Sequence, residues 1–530
     1  MRIPGKYITL CLLIIFSFAF ATNFYREDEL SPFRKEIEPE AVSKGENILI
    51  QPFPWLNAHS TELAKECKEN WQLKLDYEFE RFIQKCPIDI ESEIYLNNKI
   101  AEENAAKENS TVVSIAVVVP ISGNKEQLKS NQEVKSNPEM KFNGGRVFNS
   151  IEILKGIEIV QGENLNGIEV GGEKVFLEVL ITDDSYIDSI KEEEKAKKVA
   201  NYLVEEKDVV AVIGHFSSDS IQAAASIYDN RLVAFSPTST AIRGSNKRLL
   251  FFRSSNKLKL NKYIFRTSPN DEFAVDTLID VVKNDDSLKT AIILYEEENI
   301  FSKLFKQHFE KQFLKEINDS KVLNEEDSED SEECKFYDIY SERDNQKDFC
   351  INYILATKPD VLLLVPSDNR ALNLAGSIIE GIKNLDSKPQ LLGADTMFGD
   401  PFRSQSAEGM IVAVPLKTIE TSDNIQLSWR GAMTHDAARA IVRAIEESEC
   451  NRNSNNNIHK CFREQIQEVL SDEKKFKADG ILGKDTIFFE NGDRKIDDAL
   501  ERQFKAPRQV RKVEDSNKYE FVLYDKNNLN

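Results

Sequence analysis

From about residue 112 onward, apolar residues fall into two patterns that alternate along the chain. Short, nearly continuous apolar runs occupy 112–119, 175–181, 209–213, 232–235, 290–294, 361–365 and 391–392. Amphipathic stretches with helical spacing separate them, for example 151–163, 190–205, 220–228 and 371–383. A strand that is apolar on both faces belongs in a parallel sheet covered by helices on each side. The pattern therefore predicts an α/β protein, and its length is too great for a single doubly wound sheet. Two lobes are expected. Two stretches interrupt the alternation: a polar insertion at 124–145 and a Glu, Asp and Ser run at 324–333. Both read as solvated loops, because a block of like charges resists packing.

The part before residue 112 is different. Residues 59–106 show helical spacing, with Leu75, Phe79 and Phe82 on one face and Pro87 ending the stretch. A second helical stretch runs through Ile94, Leu96 and Ile100. The spacing resembles a single tetratricopeptide-like hairpin, which cannot build a solenoid alone. It reads as a small helical N-terminal extension at 59–111, preceded by a polar, aperiodic linker at 22–58. At the N-terminus, Arg2 and Lys6 precede an apolar run at 7–20, and Ala19-Phe20-Ala21 is a small-x-small cleavage pattern. The run is short of the roughly 20 apolar residues of a spanning helix. Residues 1–21 read as a secretory signal peptide, and Cys11 within the run lacks the small residues of a lipid-attachment box. An exported, extracytoplasmic protein is expected.

Charge and cysteines refine this picture. The chain of 530 residues carries a net charge of -21. It has no basic stripe with interleaved aromatics, so no nucleic-acid partner is expected. Beyond Cys11, the cysteines are Cys67, Cys86, Cys334, Cys350, Cys450 and Cys461, which can pair in an oxidising compartment or remain as free buried thiols. Local spacing favours Cys334 with Cys350 and Cys450 with Cys461. Cys67 and Cys86 would lie about 28 Å apart on one continuous helix and need a hairpin to meet.

Ligands of open parallel sheets bind at the carboxyl ends of the strands. After 209–213 comes Gly214-His215-Phe216-Ser217-Ser218-Asp219-Ser220, opening a helix. After 232–235 comes Ser236-Pro237-Thr238-Ser239-Thr240-Ala241. Each hydroxyl-rich loop alone reads as a helix or turn cap. Two of them at adjacent strand ends make an anion cradle from Ser217, Ser218, Thr238, Ser239 and Thr240, since hydroxyls and free N–H groups at a helix start suit a carboxylate. Asp395, after the strand at 391–392, would complement an ammonium group by a charge-assisted hydrogen bond. A zwitterionic ligand is expected.

Nothing in the sequence points to catalysis or to a cofactor. The five histidines (His59, His215, His308, His435 and His459) have no metal-ligand spacing. No HExxH, GxSxG, P-loop or GxGxxG pattern is present. His215 reads as a packing or hydrogen-bonding histidine, with a Ser-His pair as the alternative, and Asp183-Asp184 could resemble a metal pair. No metal is expected.

The passages Val212-Ile213-Gly214-His215 with Ser218, 222–228, Ser236-Pro237 to Thr240-Ala241, and Ala407-Glu408-Gly409-Met410 to Pro415 resemble the type 1 periplasmic solute-binding proteins. They are most similar to the branched-chain amino-acid receptors of ABC importers. Phe265-Arg266-Thr267-Ser268-Pro269 resembles that family's crossing between lobes, and His435-Asp436-Ala437-Ala438 its return helix. The resemblance covers roughly 112–525. It implies two doubly wound parallel-sheet lobes joined by crossing strands, with 112–262 and 409–490 in lobe 1 and 263–408 and 491–530 in lobe 2. It implies that Ser218 with the loop at Ser239 and Thr240 holds a ligand carboxylate, and that Asp395 takes the amino group. It makes Asp183-Asp184 a structural feature of the lobe edge. The implied partners are an amino acid or related zwitterion and the membrane permease of an ABC importer. A ligand-sensing module for a signalling partner is the alternative. The family's aromatic lid on the second lobe is replaced here by Glu296-Glu297-Glu298-Asn299-Ile300-Phe301, with Ile300 or Phe301 near its position.

Overall fold

The computed structural model describes residues 42–43, 90–121, 145–184, 189–243, 258–323, 334, 336, 346–385, 387–399, 402–416, 419–420, 426–450, 457–514 and 516–525. The expected signal peptide, nearly all of the linker, the first helical stretch with His59, Cys67 and Cys86, the insertion at 124–144 and the acidic run at 324–333 lie outside the described residues.

The first lobe follows the chain from β1 (Val42–Ser43) and α1 (Ile90–Glu108) through β2 (Thr111–Val119), α2 (Gly145–Glu163), β3 (Ile168–Val170) and β4 (Glu173–Asp183). It continues with α3 (Ser189–Glu205), β5 (Val209–Ile213), α4 (Ser218–Tyr228), β6 (Val233–Ser236) and β7 (Ile264–Arg266). The second lobe contains α5 (Asp271–Lys283), β8 (Thr290–Tyr295), α6 (Ile300–Glu316), β9 (Lys321–Val322) and α7 (Gln346–Thr357). After these come β10 (Val361–Val365), α8 (Asn369–Ile382), β11 (Gln390–Gly393) and β12 (Ile411–Val414). The chain returns through a small hairpin, β13 (Ile419–Glu420) and β14 (Gln426–Leu427), to α9 (Trp429–Glu446) and α10 (Ile458–Leu470). A second hairpin, β15 (Ala478–Gly480) and β16 (Gly483–Ile487), precedes β17 (Phe489–Glu490) and β18 (Asp493–Arg494). Finally α11 (Asp498–Phe504), β19 (Ala506–Lys512) and β20 (Tyr519–Leu523) complete the second lobe.

Two sheets result, with orders β1-β4-β2-β5-β6-β7-β18-β17 (β3 also on β4) and β20-β19-β12-β11-β10-β8-β9. Their centres are parallel. The apolar runs seen in the sequence are these central strands: β5 and β10 are buried at every position. Antiparallel pairs flank them, β1 and β3 on β4, β17 on β18, β19 on β12 and β20 on β19, whereas the β9 edge is parallel to β8. The sheets are thus mixed rather than wholly parallel: short connections join β3 to β4, β17 to β18 and β19 to β20, and a connection that short can only join antiparallel strands.

The expected lobe boundaries shift at each crossing. β7 pairs in parallel with β6, with Phe265 beside Phe235, so the first crossing comes after Arg266 rather than at 262. β12 pairs with β11, with Ile411 beside Leu392, which keeps 411–414 in the second lobe. β18 still belongs to the first sheet through Asp493 beside Arg266, so the last crossing comes after it. These strands have two to four residues, too few for periodicity to place them.

α1 is part of the first lobe rather than a separate cap. Its buried stripe is Ile90, Ile94, Asn98, Ala101 and Ala105, whereas Ile100 is exposed. The Asn98 side chain donates to the Val179 carbonyl at 2.9 Å and accepts the Val179 N–H at 2.8 Å. Val179 lies on β4 between the residues paired with β3 and those paired with β1, so the carboxamide fills a gap in the ladder. A polar residue thus stands at the centre of the buried stripe.

Among the described residues, disulfides join Cys334 to Cys350 and Cys450 to Cys461, with Cα atoms 5.0 and 5.8 Å apart. Both are the local pairs expected from spacing. Among the described residues, no helix is long and apolar enough to cross a membrane.

Candidate functional site

The site is built from strand ends. β5 stops at Ile213, and Gly214 turns the chain at φ +133°, where a Cβ would stand 2.5 Å from the Val118 carbonyl oxygen. Ser217 then caps α4, its Oγ accepting the Ser220 N–H at 3.1 Å and donating to Glu192 at 2.7 Å. Beyond β6, Thr238 donates to the Phe216 carbonyl at 2.6 Å and ties the two loops together. Ser218 and Ser239 meet between them, hydroxyl to hydroxyl at 2.9 Å, both buried.

The second of these loops is clamped to the crossing strands. Arg266, fully buried at the end of β7, donates through Nε and Nη2 to the two carboxylate oxygens of Asp493 on β18, each at 2.8 Å. The same guanidinium donates to the Ser239 carbonyl at 3.3 Å, which also accepts from the Ser268 hydroxyl at 3.1 Å. The cradle loop therefore cannot move without the crossing strands.

From the second lobe, Asp271 at the start of α5 reaches this loop. Its N–H donates to the Thr240 carbonyl at 2.7 Å. Oδ2 of its carboxylate is buried without a partner among the described residues. Burial pushes the Asp271 carboxyl well above the usual range, and the nearby Asp395 pushes it further. Asp395 opens a short 3-10 turn (Asp395–Met397) after β11 and is itself buried. Burial raises it to about 6, against the pull of the Arg430 charge and two backbone N–H groups.

The lobes also touch directly. Asp219 on α4 accepts from the Asn299 side chain at 2.8 Å and from the Ile300 N–H at 3.3 Å, at the start of α6. Asn299 is the cap of that helix, so an acidic group of one lobe supplements the cap of the other. Burial and then Glu192 raise Asp219 to about 7. Glu296, held by the Ser367 hydroxyl at 2.9 Å, is also raised, by burial and then by Asp368.

The structure thus joins Ser218 to Ser239 by their hydroxyls, ties Asp271 to the neighbouring Thr240, and sets Asp395 near enough to Asp271 to act on its charge. The hydroxyls of Ser217 and Thr238 serve as a helix cap and a loop tie. Ile300 is partly buried at the start of α6, its N–H donating to Asp219, and Phe301 is buried in the core. Sequence reasoning missed Asp271 because an acidic residue after the cap Asn270 looks like an ordinary complement to the helix dipole. It missed Arg430 because nothing local marks that residue.

His215 is fully buried, with Asp184 2.8 Å from Nδ1 and the Tyr228 hydroxyl 3.0 Å from Nε2. Both ring nitrogens are thereby occupied, and neither faces a serine among the described residues. Asp183 accepts from the Ile121 N–H at 3.1 Å and pairs with Lys195 at 3.4 Å, as a structural residue would. Among the described residues, no group of three or more His, Cys, Asp or Glu side chains is placed to hold a metal.

Residues 172–338 match the receptor family ligand binding region. No curated protein sequence matches the chain. Among solved structures, the branched-chain amino acid transporter substrate binding protein LivJ from Streptococcus pneumoniae, in complex with isoleucine, aligns over 78% of this chain and 100% of its own, at 14% identity and a TM-score of 0.50. This is the type 1 periplasmic-binding-protein fold. A solute binding protein of an ABC transporter from R. palustris, in complex with 4-hydroxybenzoate, shares the type 1 fold over 78% of this chain and 96% of its own, at 13% identity and a TM-score of 0.51. In this fold the strand ends just described are the facing edges of two lobes.

Proposed function

We propose that this protein captures an amino acid or related small zwitterion between its lobes, outside the cytoplasm, and delivers it to the membrane permease of an ABC importer without chemically altering it. The observation that supports the reading is a loop whose Ser239 hydroxyl meets that of Ser218, both buried, and whose Thr240 bonds Asp271, a buried carboxylate that in turn feels the buried Asp395. An ammonium group between the carboxylates would supply the counter-charge that their burial lacks, and the hydroxyls with the N–H groups at the start of α4 would hold a carboxylate. Closure would present a surface to the permease, with ligand binding setting the open–closed balance. The two disulfides support an oxidising compartment. The match of 172–338 to a receptor ligand-binding region favours a second reading, a sensing module that reports to a signalling partner.

A thermal-shift screen of amino acids against analogues lacking the amine or the carboxylate tests this. A solute at ~100 times its dissociation constant adds about 2.7 kcal/mol and raises the melting temperature. The zwitterions should stabilise the protein, and Ser218→Ala combined with Asp395→Asn should abolish the effect. Stabilisation that survives both changes would place the site elsewhere.

A further inference from the structure

Arg430, the second residue of α9, is 5% exposed. Its side chain makes no hydrogen bond and no ion pair with any described residue, and its Nε is buried without a partner. The guanidinium lies 4.6 Å from the ring of its neighbour Trp429. Nε1 of Trp429 and Oγ1 of Thr396, which directly follows Asp395, are also buried without a partner among the described residues. The acidic groups that act on Arg430 are Asp395 and Glu152. Glu152 on α2 is already engaged, accepting the Ser428 N–H at 3.1 Å and pairing with Lys155 at 3.3 Å. Asp395 attracts the guanidinium without forming an ion pair with it.

A buried arginine with no acceptor is a costly arrangement, since it keeps the desolvation penalty and gives up the compensating bonds. A guanidinium is also a planar fork of N–H donors, the group that receives a carboxylate in bidentate fashion. Resting on the reading of the cleft as a zwitterion site, we propose that Arg430 receives a second anionic group of the solute, so that the ligand is an amino acid with an acidic side chain. The amine then lies between Asp271 and Asp395, the main-chain carboxylate lies on the cradle at Ser218 and Ser239, and the side-chain carboxylate pairs with Arg430. A solute with an aliphatic side chain leaves the guanidinium unpaired.

Calorimetric titration of the full chain with L-glutamate, L-aspartate, L-glutamine and L-leucine at pH 7.5 tests the assignment. One of the acidic amino acids should bind at least ~10-fold more tightly than either neutral one, as one charge-assisted pair predicts. Arg430→Met should bring that ratio close to one, and Arg430→Lys, which keeps the charge without the fork, should restore part of it. Leucine or glutamine binding wild type as tightly as both acidic amino acids would overturn the proposal and leave the zwitterion reading standing. An acidic preference that persists in Arg430→Met would overturn it too. Failure of all four to bind would remove the zwitterion reading, and this inference with it. The wild-type comparison does not depend on whether any variant folds.

Discussion

Replacing Asp219 with asparagine should change how stability depends on pH. The Asp219 carboxyl is raised from the usual 3.8 to about 7 by burial and by Glu192, while in the unfolded chain it returns to the usual value. A group whose folded value is raised contributes stability that is present in acid and lost as pH rises through the folded value. Between pH 5 and pH 8 the unfolded carboxyl stays ionised while the folded one must give up its proton. With one pH unit worth about 1.36 kcal/mol, the full effect over that window is about 2.6 kcal/mol. The side chain retains some solvent contact, so about 1–2 kcal/mol is the working figure. The Asp219→Asn side chain would keep an acceptor for the Ile300 N–H but lose the bond from Asn299, a cost of about 1 kcal/mol at any pH. The expected result is a crossing: the variant is less stable than wild type at pH 5 and equal or more stable at pH 8. Melting curves of both proteins at pH 5, 6.5 and 8 read this directly, at about 2–4 °C per kcal/mol for a unit of this size. Comparing the two at each pH cancels the general effect of net charge. Parallel pH profiles would refute the argument that closing the lobes traps this carboxylate.

Three further outcomes follow from the packing. Gly156→Ala should destabilise the first lobe by about 1–3 kcal/mol in chemical denaturation, because the new Cβ would stand 2.9 Å from the His435 backbone nitrogen and from Cβ of Thr434, where α2 and α9 touch. Arg494→Met should cost about 3–5 kcal/mol by stranding the buried Asp436, whose carboxylate it meets at 2.6 Å. Adding Asp436→Asn should recover part of that loss, and the native pair, which holds Asp436 below its usual range, should fail only in acid. Replacing Cys450 and Cys461 with serine should cost about 2–3 kcal/mol, the chain-entropy value for so short a loop, read as a lower melting temperature.

Much of the fold is legible in the sequence because its central strands are buried on both faces. Runs such as 209–213 and 361–365 have no polar position to confuse them with amphipathic elements, and the helices between them carry clear stripes. The edges were harder to read. β7, β12 and β18 have two to four residues each, and their place in a sheet depends on which distant strand offers a free edge. The buried face of α1 was hard to read for a different reason, since Asn98 occupies its centre. The site was partly legible for the same reasons. The hydroxyl loops after β5 and β6 are contiguous in sequence, and a strand end announces them. Asp271 and Arg430 belong to helix starts on other segments, and only the crossing of the chain between lobes brings them to Asp395. Ser217 and Thr238 carry the same residue types as Ser218 and Ser239, so only their bonds to Glu192 and the Phe216 carbonyl separate structural hydroxyls from candidate ligand-binding ones.

The most direct test of the account is calorimetric titration of wild type and of an Asp271→Asn, Asp395→Asn double variant with the amino acid that stabilises the protein best. Wild type should bind it at one site per chain, and the affinity should rise as the pH is brought from 5 to 7, since Asp395 must lose its proton near 6 to take up an ammonium group. The double variant should bind it at least ~100-fold more weakly, as expected for the loss of two charge-assisted bonds. Unchanged affinity in the double variant, or affinity that falls over that pH range, would contradict capture of an amine between the lobes.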